Sequence, residues 1–346
     1  MLPDQLGLAP FRPRAPWWNG DLQTLRDTLR PVALPPDTGL PLEIAVGGRD
    51  RLLALQDRPA GEREPLGLVV LLHGLGGSSE REGLRRMGWA LQQAGFAVLR
   101  LNLRGADPGR HLAPGTYAAN CNSDLLPVLR HARTLAAGLP LLGMGISLGG
   151  TMLLNAVLEE PGGLDGLVCI SSPLDLAACS LQIERPRNGI YQRWLLKRLV
   201  AQTLADPFGI DPGEEQALRA GGGPHTIRAF DAAITAPRWG YSSVEHYYAA
   251  ASPLQRLLHQ TPPLPPLLLV HAKDDPWVPV SAAQQVAEQG VDGLRSLQVL
   301  LTDRGGHNGF HAVCDGPEGN WGDRLTARWF RQLLGVPLVA PPAPGL

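Results

Sequence analysis

Leu139-Pro-Leu-Leu-Gly-Met144-Gly-Ile-Ser147-Leu-Gly-Gly150-Thr-Met-Leu-Leu-Asn155-Ala-Val-Leu158 is the stretch on which the reading of the fold turns. Leu139 to Met144 is an apolar run of strand length, and Leu148, Met152, Asn155 and Leu158 follow at helical spacing. Between them stands Gly145-Ile-Ser147-Leu-Gly149, a GxSxG pattern. A serine on the sharp turn from a buried strand into a helix projects its hydroxyl above the sheet, the setting of an activated nucleophile. Glycines two residues to either side keep side chains clear of that turn. A glycine-rich turn whose serine merely caps the helix would read the same way, so the partners of Ser147 must decide.

Further short apolar runs lie on both sides of this stretch: Leu68 to Leu72, Ala97 to Leu101, Leu167 to Ile170, Leu267 to Val270 and Leu297 to Leu301. Stretches with helical spacing, such as Leu84-Met87-Gly88-Leu91 and Leu125-Leu126-Leu129-Leu135, separate most of them. Alternating strands and helices predict a mostly parallel central sheet with helices on both faces. Ligands of such sheets collect at the carboxyl ends of the strands. The rhythm breaks between Ser172 and Pro266, where helix-like segments such as Tyr191 to Leu204 and the turn-rich Ala220 to Pro224 replace strands. We therefore expect one domain over residues 1–336 with a helical cap inserted at about 173–265, and a dispensable tail at 337–346. The segment Tyr191-Gln-Arg-Trp-Leu-Leu-Lys-Arg-Leu-Val200 is amphipathic and basic, which suits a lipid surface as well as a water-facing cap helix.

A serine hydroxyl at its ordinary pKa is a weak nucleophile, and histidine is the base suited to activate it. His307, in Asp303-Arg-Gly-Gly-His-Asn-Gly-Phe310, follows the last expected strand on a flexible loop. It also comes after the serine, in the chain order Ser, Asp, His. His311 stands four residues on, a spacing zinc sites use, but the glutamate of HExxH is missing and no metal is expected. The orienting acid is sought after Leu267 to Val270, in His271-Ala-Lys-Asp274-Asp275-Pro-Trp-Val-Pro279. Asp275 has a small residue, Ala272, three before it and Pro279 four after it, the common hydrolase spacing; Asp274 stands as the alternative. His73-Gly-Leu-Gly-Gly-Ser-Ser79 supplies a glycine-rich loop after an earlier strand, so the Leu75 and Leu148 amides are the expected oxyanion donors. That loop matches neither GxxxxGK[ST] nor GxGxxG, which argues against a nucleotide phosphate cradle. His73 is read as shaping the loop.

The 346 residues include 31 Lys plus Arg and 32 Asp plus Glu, for a formal net charge of −1. That balance excludes a general affinity for nucleic acid. Hydrophobic residues make up 44%, ample for a large core. Four scattered cysteines without a CxxC spacing fit a reducing compartment and no structural zinc. Neither an export signal nor an apolar run of spanning length is visible, so the expected location is cytoplasmic, with peripheral membrane contact left open. No cofactor is expected, and the sequence does not fix the oligomeric state.

The chain resembles the YheT-like α/β-hydrolases, the group that includes plant embryogenesis-associated proteins and mammalian abhydrolase-domain proteins. The residues that carry this are Pro16-Trp-Trp-Asn-Gly-Asp-Leu-Gln-Thr-Leu25, the His73-Gly74 loop and Asn102-Leu-Arg-Gly105. Further matches are Ile190-Tyr-Gln-Arg-Trp-Leu-Leu-Lys197, Thr226-Ile-Arg-Ala-Phe-Asp-Ala-Ala-Ile-Thr-Ala-Pro237 and Tyr247-Tyr248. Tyr117-Ala-Ala-Asn-Cys-Asn-Ser-Asp124 is similar to the family's Tyr-His-Ala-Gly-x-Thr-x-Asp, departing at Ala118, Asn120 and Asn122. The resemblance implies the α/β-hydrolase fold and a serine hydrolase of carboxylic esters, with lipid esters among relatives' substrates. By matching motif it assigns Ser147 as nucleophile, Asp275 as acid and His307 as base. Non-catalytic binding of a small ligand or a protein beneath the cap, and acyl transfer to an alcohol other than water, are the competing functions.

Overall fold

The computed structural model describes residues 2–61, 63–259, 264–289, 296–316 and 319–337. The expected tail beyond Pro337 and residues 260–263 of the expected cap lie outside them. Eight strands form one sheet in the order β1-β2-β4-β3-β5-β6-β7-β8. They are β1 Leu40–Gly47, β2 Asp50–Asp57, β3 Leu68–Leu72, β4 Ala97–Leu101, β5 Leu141–Ile146, β6 Gly166–Ile170, β7 Leu267–Ala272 and β8 Leu297–Thr302. From β4 to β8 all pairs are parallel, whereas β1–β2 and β2–β4 are antiparallel. This is the mostly parallel α/β-hydrolase architecture that the alternating pattern predicts.

Side chains alternate between two apolar layers. In β3, Leu68, Val70 and Leu72 join one core while Val69 and Leu71 join the other. The helices Asn122–Leu135 and Leu148–Glu159 cover the first face, and Glu82–Gln93 and Trp321–Leu333 the second. Burial on both faces is why these strands read as continuous apolar runs.

Two features depart from the sequence reading. The hairpin β1–β2 was not expected: β1 is mostly exposed and β2 mixes buried with half-buried positions, so neither carries an apolar run. Strand β5 lies two residues later than expected, because Pro140 has no N–H for the ladder and Leu139 is turned to solvent. The strand therefore runs directly into Ser147.

Between β6 and β7 the chain forms the helices Leu176–Ile183, Gly189–Leu204, Pro212–Arg219, Val244–Ala251 and Leu254–His259, with turns and shorter helical segments, among them Ile227–Phe230 and Asp231–Thr235, between them. Leu196 and Leu199 of this segment pack with Leu218, Phe230 and Ile234 in a small core of their own, with Leu75 of the first expected donor loop against it. Among the described residues no helix is long and apolar enough to cross a membrane.

Candidate active site

Ser147 follows β5 and precedes the helix Leu148–Glu159, with its backbone at φ 53°, ψ −126°. A non-glycine residue rarely adopts that conformation, and here the packing around it imposes it. A Cβ on Gly145 would lie 2.3 Å from the Gly150 Cα, and one on Gly149 would lie 2.6 Å from the His73 carbonyl oxygen. The Ser147 N–H donates to the Ile170 carbonyl at 2.8 Å, tying the turn to β6. The hydroxyl is left facing a cavity.

His307 brings its Nε2 to 2.9 Å from Ser147 Oγ and its Nδ1 to 2.9 Å from Asp275 Oδ2. The other carboxylate oxygen, Oδ1, accepts the Trp277 and Val278 N–H groups at 2.8 and 3.0 Å. Burial alone would raise the Asp275 pKa, but His307, its hydrogen bond, His271 and the Val278 amide together hold it below the usual carboxylate range. Asp275 is thus an acceptor toward Nδ1, which places the ring proton there and the lone pair on Nε2 toward the serine. The Trp277 ring stacks on the imidazole, centroids 4.5 Å apart. Asp274 points elsewhere: its Oδ1 accepts the Gly306 N–H at 2.9 Å. His311 turns away from His307 toward Asp27, 3.2 Å from its Nε2.

The loop after β3 reaches the same point. A Cβ on Gly74 would lie 3.0 Å from the Ser147 Cβ, so glycine permits the close approach. Leu148 opens its helix, where the N–H has no intrahelical acceptor. In the loop, the Gly76 N–H is committed to Tyr117 Oη and the Gly77 N–H to the Gly74 carbonyl. His73 is buried, and burial lowers its pKa to about 4. It is therefore neutral at pH 7, bonding the Gly74 carbonyl through Nδ1 and accepting the Leu103 N–H at Nε2. Asn102, the residue after β4, braces the loop through both the N–H and the hydroxyl of Ser79.

A cavity of about 360 Å³ opens above Ser147 and His307. Leu176, Leu195, Leu199, Ile227 and Phe230, from the segment between β6 and β7, give it an apolar lining. Asp231 also faces it, with its carboxylate on Thr235 Oγ1 at 2.7 Å and Tyr248 Oη at 2.8 Å, and burial pushes its pKa up to about 6. The family-like stretch Thr226 to Pro237 and Tyr248 thus meet as one hydrogen-bonded cluster.

Sequence reasoning missed several contributors. The Thr24 hydroxyl accepts the His307 N–H at 2.9 Å, across 283 positions. Gln23 accepts the His311 N–H at 2.7 Å and donates to the Trp17 and His311 carbonyls. A Cβ on Gly20 would lie 2.0 Å from the Asp274 carbonyl oxygen. Gly20, Gln23 and Thr24 fall at i, i+3 and i+4 of the helix Gly20–Leu29, and that shared face was the available signal.

The family model described as serine aminopeptidase, S33, matches residues 63–308, which include Ser147, Asp275 and His307. YheT of Escherichia coli strain K12 is 31% identical over 263 residues, covering 75% of this chain and 74% of that protein. The mouse phospholipase ABHD3 is 30% identical over 274 residues, or 77% of this chain, which spans only 62% of that protein's length. Among solved structures, a soluble variant of the Saccharomyces cerevisiae monoglyceride lipase superposes with a TM-score of 0.57 at 15% identity, covering 88% of this chain and 98% of that one. At that identity the likeness speaks for the fold alone.

Proposed function

This chain belongs to the serine aminopeptidase S33 family of α/β-hydrolases, within its YheT-like esterase and lipase group, and on that basis we propose that it hydrolyses carboxylic esters through an acyl-enzyme on Ser147. His307 Nε2 takes the hydroxyl proton as Oγ attacks the ester carbonyl, and the Leu75 and Leu148 N–H groups receive the oxyanion. The imidazolium, steadied by Asp275, then gives its proton to the leaving alcohol. Water repeats the sequence and releases the acid. The helices between β6 and β7 act as the cap, and their apolar lining receives the acyl chain.

The observation that carries this reading is the continuous pair of 2.9 Å hydrogen bonds from Asp275 through His307 to Ser147. Relatives named as phospholipase and monoacylglycerol lipase support a lipid ester as the natural substrate. The exposed side chains of Ile190 and Trp194, on a helix that lines the cavity, support its uptake from a lipid surface. Vesicle co-sedimentation that is unchanged in Trp194→Ala would count against that route.

A fluorophosphonate probe tests the chemistry. Labelling of the wild type that is abolished in Ser147→Ala is the expected result, and absence of wild-type labelling would favour a non-catalytic binder. Activity against p-nitrophenyl esters of graded acyl length then fixes chain preference. A second reading, transfer of the acyl group to an alcohol, is supported by a yeast relative named medium-chain fatty acid ethyl ester synthase/esterase 2. Added ethanol would then yield ethyl ester in place of free acid.

A further inference from the structure

We propose that Arg198 and Tyr117 are positioning residues for the reaction, which grip the loop after β3 at Gly76 so that the Leu75 N–H points at the oxyanion. The inference rests on the function proposed above.

Three successive peptides of this loop are each held by a side chain from a different place. His73 Nδ1 bonds the Gly74 carbonyl at 2.8 Å, and because a trans peptide sets its N–H opposite its carbonyl, this bond constrains the Leu75 N–H from the preceding side only. The next peptide's N–H, that of Gly76, donates to Tyr117 Oη at 2.6 Å. The peptide after that offers the Gly76 carbonyl, which accepts Arg198 Nη2 at 2.5 Å. Gly76 has φ +65°, so the chain reverses sharply between these two anchors. Among the described residues, these are the side-chain hydrogen bonds from outside the loop to the Gly76 backbone.

The two anchors differ in origin. Tyr117 is buried in the body of the domain, where its ring meets the His73 ring edge-on at 5.9 Å. Arg198 lies on the helix Gly189–Leu204, in the segment above the cavity, with its guanidinium 4.7 Å from the Trp194 ring centroid. No carboxylate pairs with it among the described residues, and burial together with the charge of Arg81 disfavours its protonated form. A neutral donor would serve a purely structural latch better. A cation beside this loop adds a favourable field where negative charge develops. The cap helix therefore does more than cover the cavity. Displacing that helix would take the partner from the Gly76 carbonyl.

The test uses Tyr117→Phe, Arg198→Met and Arg198→Lys in the full chain, with kcat and KM on p-nitrophenyl butyrate, Tm, and fluorophosphonate labelling of Ser147. Removing an oxyanion donor lowers kcat by about 10²–10³, and misaiming one lowers it less, so Tyr117→Phe and Arg198→Met are expected to drop kcat about 10- to 100-fold with KM within about threefold. Arg198→Lys, which restores a donor, recovers most of the loss. Tyr117→Phe and Arg198→Met enzymes that both keep wild-type kcat while Ser147 labels normally overturn the proposal and leave the hydrolase reading intact. So does a loss confined to KM, which would make Arg198 a substrate contact. If Arg198→Met fails to fold, Tyr117→Phe and Arg198→Gln decide by the same kcat criterion. A wild type that neither turns over esters nor labels defeats the hydrolase reading first, and this proposal with it.

Discussion

Replacing Asp275 by Asn tests the proposed orienting carboxylate, because the substitution keeps the shape and changes one hydrogen-bond direction. Asp275 Oδ1 accepts two backbone N–H groups, from Trp277 and Val278, and an asparagine oxygen must stay there to satisfy them. The amide nitrogen then takes the Oδ2 position, 2.9 Å from His307 Nδ1, and presents a donor where there was an acceptor. The imidazole answers by moving its proton to Nε2, which faces Ser147 Oγ at 2.9 Å and no longer offers a lone pair. A wrong tautomer of this kind lowers kcat about 10⁴-fold, close to 5.5 kcal/mol of transition-state stabilisation. The fold should persist, since both backbone bonds survive. Steady-state hydrolysis of p-nitrophenyl butyrate, with Tm as the folding control, measures this. Asp274→Asn is the companion variant: its oxygen can still take the Gly306 N–H, so kcat should stay within about threefold. If Asp275→Asn loses less than tenfold, or if Asp274→Asn is the one that collapses, the assignment of the acid is wrong.

Gly149→Ala would put a Cβ 2.6 Å and 2.7 Å from the carbonyl oxygens of His73 and Leu72, fixed backbone of the donor loop and of β3. We expect a stability loss of about 1–3 kcal/mol in urea and a lower kcat, and an unchanged midpoint would refute the packing argument. Thr24→Val removes the acceptor of the His307 N–H and should lower kcat about tenfold at constant KM, with Thr24→Ser restoring it. Equal losses in Val and Ser would refute a hydrogen-bonding role. Asp231, whose pKa is pushed up to about 6 by burial, keeps its proton in the fold after the unfolded chain has released it near 3.8. Wild-type stability from this group is therefore fullest below pH 3.8 and is lost as pH rises through about 6. Asp231→Asn, which does not titrate, should gain relative to wild type by up to about 3 kcal/mol between pH 4 and pH 7, and a flat difference in urea unfolding would sink the argument.

What the sequence makes legible follows from burial on two faces. Strands β3 to β7 read as short apolar runs because the helices of both layers cover them, the edge strand β8 does so although only half-buried, and Ser147, Asp275 and His307 each stand a few residues past such a run. The hairpin β1–β2 has no such cover on most positions of β1 and leaves no comparable trace. Asn102-Leu-Arg-Gly105 and Asp124 are family-like motifs whose reason is tertiary: Arg104 forms paired bonds of 2.8 and 2.7 Å with Asp124, and Asn102 holds Ser79. Arg198 gripping Gly76 and Thr24 gripping His307 join elements more than a hundred residues apart, and periodicity carries no information at that range.

The position of His307 shows why such distant contacts are needed. Ser147 follows β5 and His307 follows β8, with β6 and β7 between them, a gap of three strand spacings or roughly 14 Å. An imidazole cannot cross that distance unaided, so the loop after β8 turns back over its neighbours, with Gly305 and Gly306 at φ 147° and 59°. Backbone that leaves the sheet and coils in this way presents N–H groups that no ladder satisfies. Three consecutive ones are met by side chains from three separate elements: Gly306 by Asp274, His307 by Thr24 and Asn308 by the Ser171 hydroxyl at 3.1 Å. Asp274, the alternative acid from the sequence, thus acts on the loop that carries the proposed base, His307. The side chains that hold these three N–H groups are neutral or face away from Ser147, and they are found only by asking where each backbone N–H goes.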